Sequence, residues 1–300
     1  MKFSVFQLTR IGGRALNEDR MGYCYTRASC LLVLADGMGG HPEGEVAAQL
    51  ALETVCALYQ QEAKPRVKNP AEFLSAALLA AHHRILRHAT EKGMLDTPRT
   101  TLVAAVLQDG HATWLHCGDS RLYVVRGGEM LLRTRDHSFL EQVHDRFLKI
   151  EPVNRNILFT CLGSATKPFF DMPDPLPLLQ GDKLLLCSDG LWGSLDDAEI
   201  VRRLTGKDVA EAVPEMVESA LRKGGEHSDN VTALALEWET DNSFEATRDN
   251  TATRAMNGEF DSTLQSDLPD NAADDLDEAA IERSIAEINE AIRRSAAKKT

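Results

Sequence analysis

The sequence is short of positive charge: 33 Lys and Arg stand against 46 Asp and Glu, a formal net charge of −13. A field of that sign repels phosphate backbones and anionic headgroups, which argues against nonspecific grip on nucleic acid or on a membrane and leaves proteins or small molecules as partners. No apolar run approaches the roughly 20 residues that span a bilayer. The opening Met1-Lys2-Phe3-Ser4-Val5 lacks the basic flank and apolar stretch of a secretory signal, so a cytoplasmic location is expected. The six cysteines, Cys24, Cys30, Cys56, Cys117, Cys161 and Cys187, include no CxxC pair and sit mostly inside apolar stretches. Reduced thiols acting as small hydrophobes are expected.

What is present suits a sizeable core, with 43% apolar residues in a chain of 300. Residues 1 to about 240 read as one α+β unit. Strand-like runs recur at Phe3 to Thr9, Gly22 to Thr26, Cys30 to Ala35, Thr101 to Leu107, Ala112 to Cys117, Leu122 to Arg126, Lys183 to Cys187 and Val231 to Glu237. Asp109-Gly110 and Gly127-Gly128 sit between such runs, the chemistry of a tight hairpin turn. Apolar residues at helical spacing mark Glu45 to Gln60 and Pro70 to Glu91, with shorter helices at Ala198 to Leu204 and Val209 to Leu221. Antiparallel sheets with helices packed outside them follow. On helical spacing, His82 and His83 point different ways and are read with His88 as solvated; Trp114, Trp192 and Trp238 are read as packing.

Composition changes after Trp238. From Asp241 to Thr300 there are 14 Asp and Glu against 7 Lys and Arg, with few large apolar residues before Leu276. The reading is a disordered acidic linker over 241–273, then an amphipathic helix over 274–298, where Ile281, Ile285, Ile288 and Ile292 share one face. That helix either stays solvated or docks on a partner or on the preceding domain.

The most informative pattern is a series of acidic clusters bordering apolar runs: Asn17-Glu18-Asp19, Asp36-Gly37-Met38-Gly39-Gly40, Gly118-Asp119-Ser120-Arg121, Asp136-His137, Ser188-Asp189-Gly190 and Ser228-Asp229-Asn230. Each alone is most often a turn. Together they place carboxylates at strand ends, where like charges repel unless cations neutralise them. Oxygen donors favour hard divalent ions such as Mg²⁺ and Mn²⁺. Gly37, Gly39 and Gly40 free the backbone to turn beside Asp36.

In this order the clusters, with Arg14, His41, Gly44-Glu45, Thr100-Thr101, Ser138, Leu162-Gly163, Leu191 and Val231-Thr232, resemble the metal-dependent serine/threonine phosphatases of the type 2C (PPM) family, bacterial branch, from about residue 5 to 238. The resemblance implies a four-layer αββα sandwich, two central and mainly antiparallel sheets flanked by helices. It implies that Asp36 bridges two Mg²⁺ or Mn²⁺ ions, that Gly37 offers its carbonyl to one, and that Asp189 and Asp229 bind the other. Glu18 and Asp19 would hold metal-bound waters, Asp119 with Asp189 would take a third, weaker ion, and Arg14 would clamp the phosphate. Phosphoserine and phosphothreonine proteins are the implied substrates and a bacterial Ser/Thr kinase the opposing partner.

Three departures bear on this. Met38 stands where eukaryotic members carry a His, so the leaving-group proton comes from a water on the cation or from His41. Arg99 replaces the usual Gly before Thr100, and the flap segment from Ser138 to Asn156 is short. They keep open a second function class, a phosphatase-shaped binding or regulatory module with little turnover. Thr247, Thr251 and Thr253 in the linker suggest phosphorylation that creates a docking signal for a phosphothreonine-reading domain.

Overall fold

The computed structural model describes residues 1–138, 158–240 and 261–262. The expected linker and C-terminal helix, the linker threonines and nearly all of the flap segment lie outside the described residues. Strand β1 (Lys2–Arg10) pairs with β10 (Val231–Thr240), which pairs with β9 (Lys183–Cys187), then β6 (Arg121–Arg126) and β7 (Glu129–Arg133). The second sheet runs β11 (Asp261–Ser262), β2 (Asp19–Tyr25), β3 (Ser29–Asp36), β4 (Leu102–Gln108), β5 (His111–Cys117) and β8 (Leu176–Pro177). Every pairing is antiparallel.

Period-two side chains divide each central strand between two cores. From β3, Leu31, Val33 and Ala35 pack under helices α1 (Gly44–Glu62) and α2 (Pro70–Glu91), while Cys30, Leu32 and Leu34 face the other sheet. From β10, Leu234, Leu236 and Trp238 meet them there, while Val231, Ala233 and Ala235 face α3 (Asp189–Trp192), α4 (Asp197–Leu204) and α5 (Val209–Gly224). Three apolar layers thus separate four layers of structure, the αββα sandwich. All six cysteines are free and buried.

Local chemistry sets the boundaries. Asp109 and Gly110 take φ of 53° and 70°, and Gly127 and Gly128 take 58° and 87°, the left-handed pairs that close β4–β5 and β6–β7. Asn69 caps α2 by accepting from the Ala71 and Glu72 amides, with Pro70 in the first turn. The solvated reading of His82 is corrected: the ring is 3% exposed and its Nδ1 accepts the Gly163 amide at 3.1 Å. Among the described residues no helix is long and apolar enough to cross a membrane.

Candidate metal centre

The sheets meet the helices and loops at one end, and there the clusters converge. Register places Asp19 opposite Asp36 across β2 and β3, so one strand pair delivers two carboxylates. The chain leaves β9 through Ser188, whose hydroxyl donates to Asp19 Oδ2 at 2.8 Å, and Asp189 then opens the short α3. Asp229 lies two residues before β10, and Asp119 lies in the crossing from β5 to β6.

Backbone atoms of Asp36 are fully engaged, and its carboxylate stands against that of Asp19. The Asp36 carbonyl accepts from the Thr101 amide and the Thr100 hydroxyl, both at 2.8 Å, and its amide donates to Thr101 Oγ1 at 3.0 Å. Asn230 fixes the loop that carries Arg14 and Glu18: its Nδ2 donates to the Ile11 and Leu16 carbonyls at 2.8 and 2.9 Å, and its Oδ1 accepts the Glu18 amide at 2.8 Å. Neither Gly37 nor Gly190 has the positive φ expected of a turn glycine. Both are sites of close approach instead. A Cβ on Gly37 would stand 2.5 Å from the Gly44 backbone, and one on Gly190 would stand 2.1 Å from the Asn230 carbonyl oxygen.

Burial raises the pKa of these carboxylates, and their mutual repulsion adds to the rise. Burial pushes Asp19 up to about 7, opposed by hydrogen bonds from Thr232 and Ser188, with Asp189 adding to the rise. Lost hydration lifts Asp36 well above the ordinary carboxylate range, followed by repulsion from Asp19, Asp189, Asp119 and Asp229. Asp119 rises to about 8 through burial and then Asp189, and Asp189 to about 6 through burial and then Asp229. Glu18 is also raised, first by burial and then by Glu45.

This donor set fits a divalent cation. Five aspartates that destabilise one another's charge gather with no His or Cys among them, and Asp19 Oδ1 is buried with no hydrogen-bond partner. All-oxygen sites of concentrated negative charge select hard ions. Glu18 sits at the rim, where its carboxylate oxygens would lie 3.0 and 3.2 Å from a Cβ on Gly39 and on Gly44. Arg14, half-exposed, donates from Nη2 to Asp229 Oδ2 at 2.7 Å. His41 pairs through Nδ1 with Asp96 Oδ2 at 2.9 Å, and Asp96 also meets Arg99 at 3.4 Å.

Several residues matter here that the sequence reading left without a role: Asn230, Thr101, Ser188, and Trp192, whose Nε1 donates to the Asp119 carbonyl at 3.0 Å. The first three adjoin or lie within the quoted clusters, and that adjacency is the only signal they carry.

The protein phosphatase 2C family model matches residues 8–228. The chain is 36% identical over 231 residues to serine/threonine protein phosphatase PstP of Mycobacterium tuberculosis, covering 75% of this chain and 42% of that protein. It is 30% identical over 229 residues to serine/threonine phosphatase stp of Listeria innocua, covering 74% of this chain and 90% of that one. The chain therefore spans less than half the length of the mycobacterial relative. A crystal structure of the M. tuberculosis phosphatase superimposes with a TM-score of 0.68 at 32% identity, over 80% of this chain and 100% of that one. The PstP catalytic domain in complex with two manganese ions gives 0.66 at 33%, over 78% and 97%.

Proposed function

This chain belongs to the protein phosphatase 2C family, and from that membership we propose that it is a bacterial metal-dependent protein serine/threonine phosphatase. It hydrolyses phosphoserine and phosphothreonine by direct attack of water, without a covalent phospho-enzyme. The observation that carries the reading is the convergence of Asp19, Asp36, Asp119, Asp189 and Asp229 into one mutually repelling cluster. Asp36 and Gly37, with Asp189 and Asp229, would hold two Mn²⁺ or Mg²⁺ ions, and Asp119 with Asp189 a third and weaker one. Bound there, such cations supply a nucleophile at neutral pH and offset charge on the transferring phosphoryl group.

The chain's own residues do the rest. Arg14 exchanges its Asp229 partner for two phosphate oxygens, which its planar fork fits. Glu18 and Asp19 orient water from the rim and the floor of the site. His41 is oriented through Nδ1 by Asp96, and only when its ring carries both protons does Nε2 have one to give the leaving alkoxide. The complete carboxylate set disfavours an inert module.

Phosphorylated cytoplasmic proteins are the proposed substrates, a Ser/Thr kinase the opposing signalling enzyme, and the tail threonines a docking signal once phosphorylated. Hydrolysis of a phosphothreonine peptide with Mn²⁺, lost with chelator and in Asp36→Asn and Asp189→Asn, is expected. Undiminished turnover in both variants would remove the assignment.

A further inference from the structure

We propose that Trp192 and the His137–Asp171 pair are positioning residues for Asp119, presetting its carboxylate for the weaker third cation; the inference rests on the metal assignment above. The backbone at 118–120 is held at each residue in turn. At Gly118 both backbone groups engage His137: the carbonyl accepts the His137 amide at 3.0 Å, and the Gly118 amide donates to His137 Nδ1 at 3.2 Å. Gly118 has φ +108°, and a Cβ there would stand 2.7 Å from Thr101 Cγ2, so the backbone is pressed onto Thr101. At Asp119 the carbonyl accepts from Trp192 Nε1 at 3.0 Å. At Ser120 the hydroxyl shares a 2.7 Å hydrogen bond with Thr101 Oγ1, and the Thr101 amide reaches the Asp36 carbonyl.

The Trp192 arm is rigid. Trp192 ends the helix that Asp189 opens, so one indole ties the Asp119 carbonyl to the element carrying Asp189. Its ring lies under the Arg121 guanidinium, 3.7 Å from the centroid, and Arg121 is buried and forked onto Asp136 by two bonds of 2.8 Å. The next residue after Asp136 is His137, where the second arm begins.

That second arm has its tautomer fixed by its neighbours. His137 Nδ1 accepts, so the neutral ring carries its proton on Nε2, which donates to Asp171 Oδ2 at 3.2 Å. His116, His137 and Asp171 place ligand atoms within 4.8 Å of one another, the spacing of a metal trio. With both His137 nitrogens committed, no lone pair of that ring is left for a cation. The His116 ring stacks on His137 with centroids 4.5 Å apart, which fixes the plane of the relay. His137 and Asp171 are therefore a hydrogen-bonded support for Gly118, while His116 contributes its stacked ring, with Nε2 on the Arg135 carbonyl and Nδ1 buried without a partner.

An ion with few protein ligands depends most on how well each ligand is preset, and supporting residues of this kind alter metal affinity by roughly 10- to 100-fold. The test is Mn²⁺ binding by calorimetry on the full chain, for wild type, Asp119→Asn, Trp192→Phe and Asp171→Ala. Trp192→Phe keeps an aromatic ring beneath Arg121 and removes the N–H together with part of the indole's packing volume. Asp171→Ala changes a half-exposed side chain. Each of these two should weaken the weak class of Mn²⁺ sites by roughly tenfold, with the tight class and the melting temperature unchanged. If Asp119→Asn abolishes the weak class while both supporting variants keep wild-type affinity, the positioning role is overturned and the metal assignment stands. If Asp119→Asn retains the weak class, the underlying assignment fails and the inference fails with it.

Discussion

Removing divalent cations should destabilise this chain by an amount that grows with pH. In the metal-free protein Asp19 titrates near 7, against about 4 for an aspartate in an unfolded chain. Between those values the folded state holds a proton that the unfolded state has released, so stability falls as pH rises through the window. Asp189, raised to about 6, and Asp119, raised to about 8, act in the same direction. For buried Asp19 alone the shift corresponds to on the order of 4 kcal/mol. Protonating one carboxylate relieves the others, so the set contributes less than the sum of its members.

Buried histidines oppose this trend, His137 lowered by burial among them, and two are shifted furthest. Burial pulls His82 and His116 down to about 4, so their contribution is lost as pH falls from about 6.5 toward 4. Neither belongs to the carboxylate cluster, and subtracting chelated from Mn²⁺-loaded melting temperatures at each pH cancels them. At 100 times its dissociation constant a bound ion stabilises by about 3 kcal/mol, worth roughly 6–12 °C in a domain of this size. Circular-dichroism melts with EDTA or Mn²⁺ should show a shift of that order at pH 8 and little at pH 5, where protons occupy the same oxygens. A shift that stays flat with pH, or is missing at pH 8, refutes the reasoning.

Asp36→Asn removes the charge at the centre of the repulsion, so it should raise the melting temperature of the chelated protein at pH 8 while eliminating the Mn²⁺-induced shift; paired melts with and without chelator check both. Arg14→Ala deletes a half-exposed ion pair and should change stability by no more than about 1 kcal/mol, yet lower kcat/KM for a phosphopeptide by roughly 10²-fold, read from steady-state kinetics. Arg121→Met leaves Asp136 buried without its forked partner and should cost about 3–5 kcal/mol in urea denaturation.

Residues that meet a conflict in their own neighbourhood could be read from the sequence, and residues that are satisfied could not. Asp36 after the apolar run Cys30 to Ala35, and Asp189 after Lys183 to Cys187, put a charge at the end of a buried strand, and only a turn or a ligand explains that position. The continuous apolar runs that mark those strands also mark where the charges stand, so the sandwich and its carboxylate end were legible together. The four-residue α3 was not, because one helical turn has no periodicity to detect. From the sequence, the clusters that hold Gly37 and Gly190 read as turns, because a turn is local. The actual reason for the two glycines is the Gly44 backbone in one case and the Asn230 carbonyl in the other, and the latter contact joins positions 40 residues apart in sequence. His82 and Trp192 were illegible for a related reason: an amide 81 residues away and a carbonyl 73 residues away satisfy them, and nothing beside them in the chain announces those partners. Charge that repels charge is visible one residue at a time, whereas a donor that finds its acceptor leaves no residue out of place, so the groups that hold this site in shape surface only when the chain is folded.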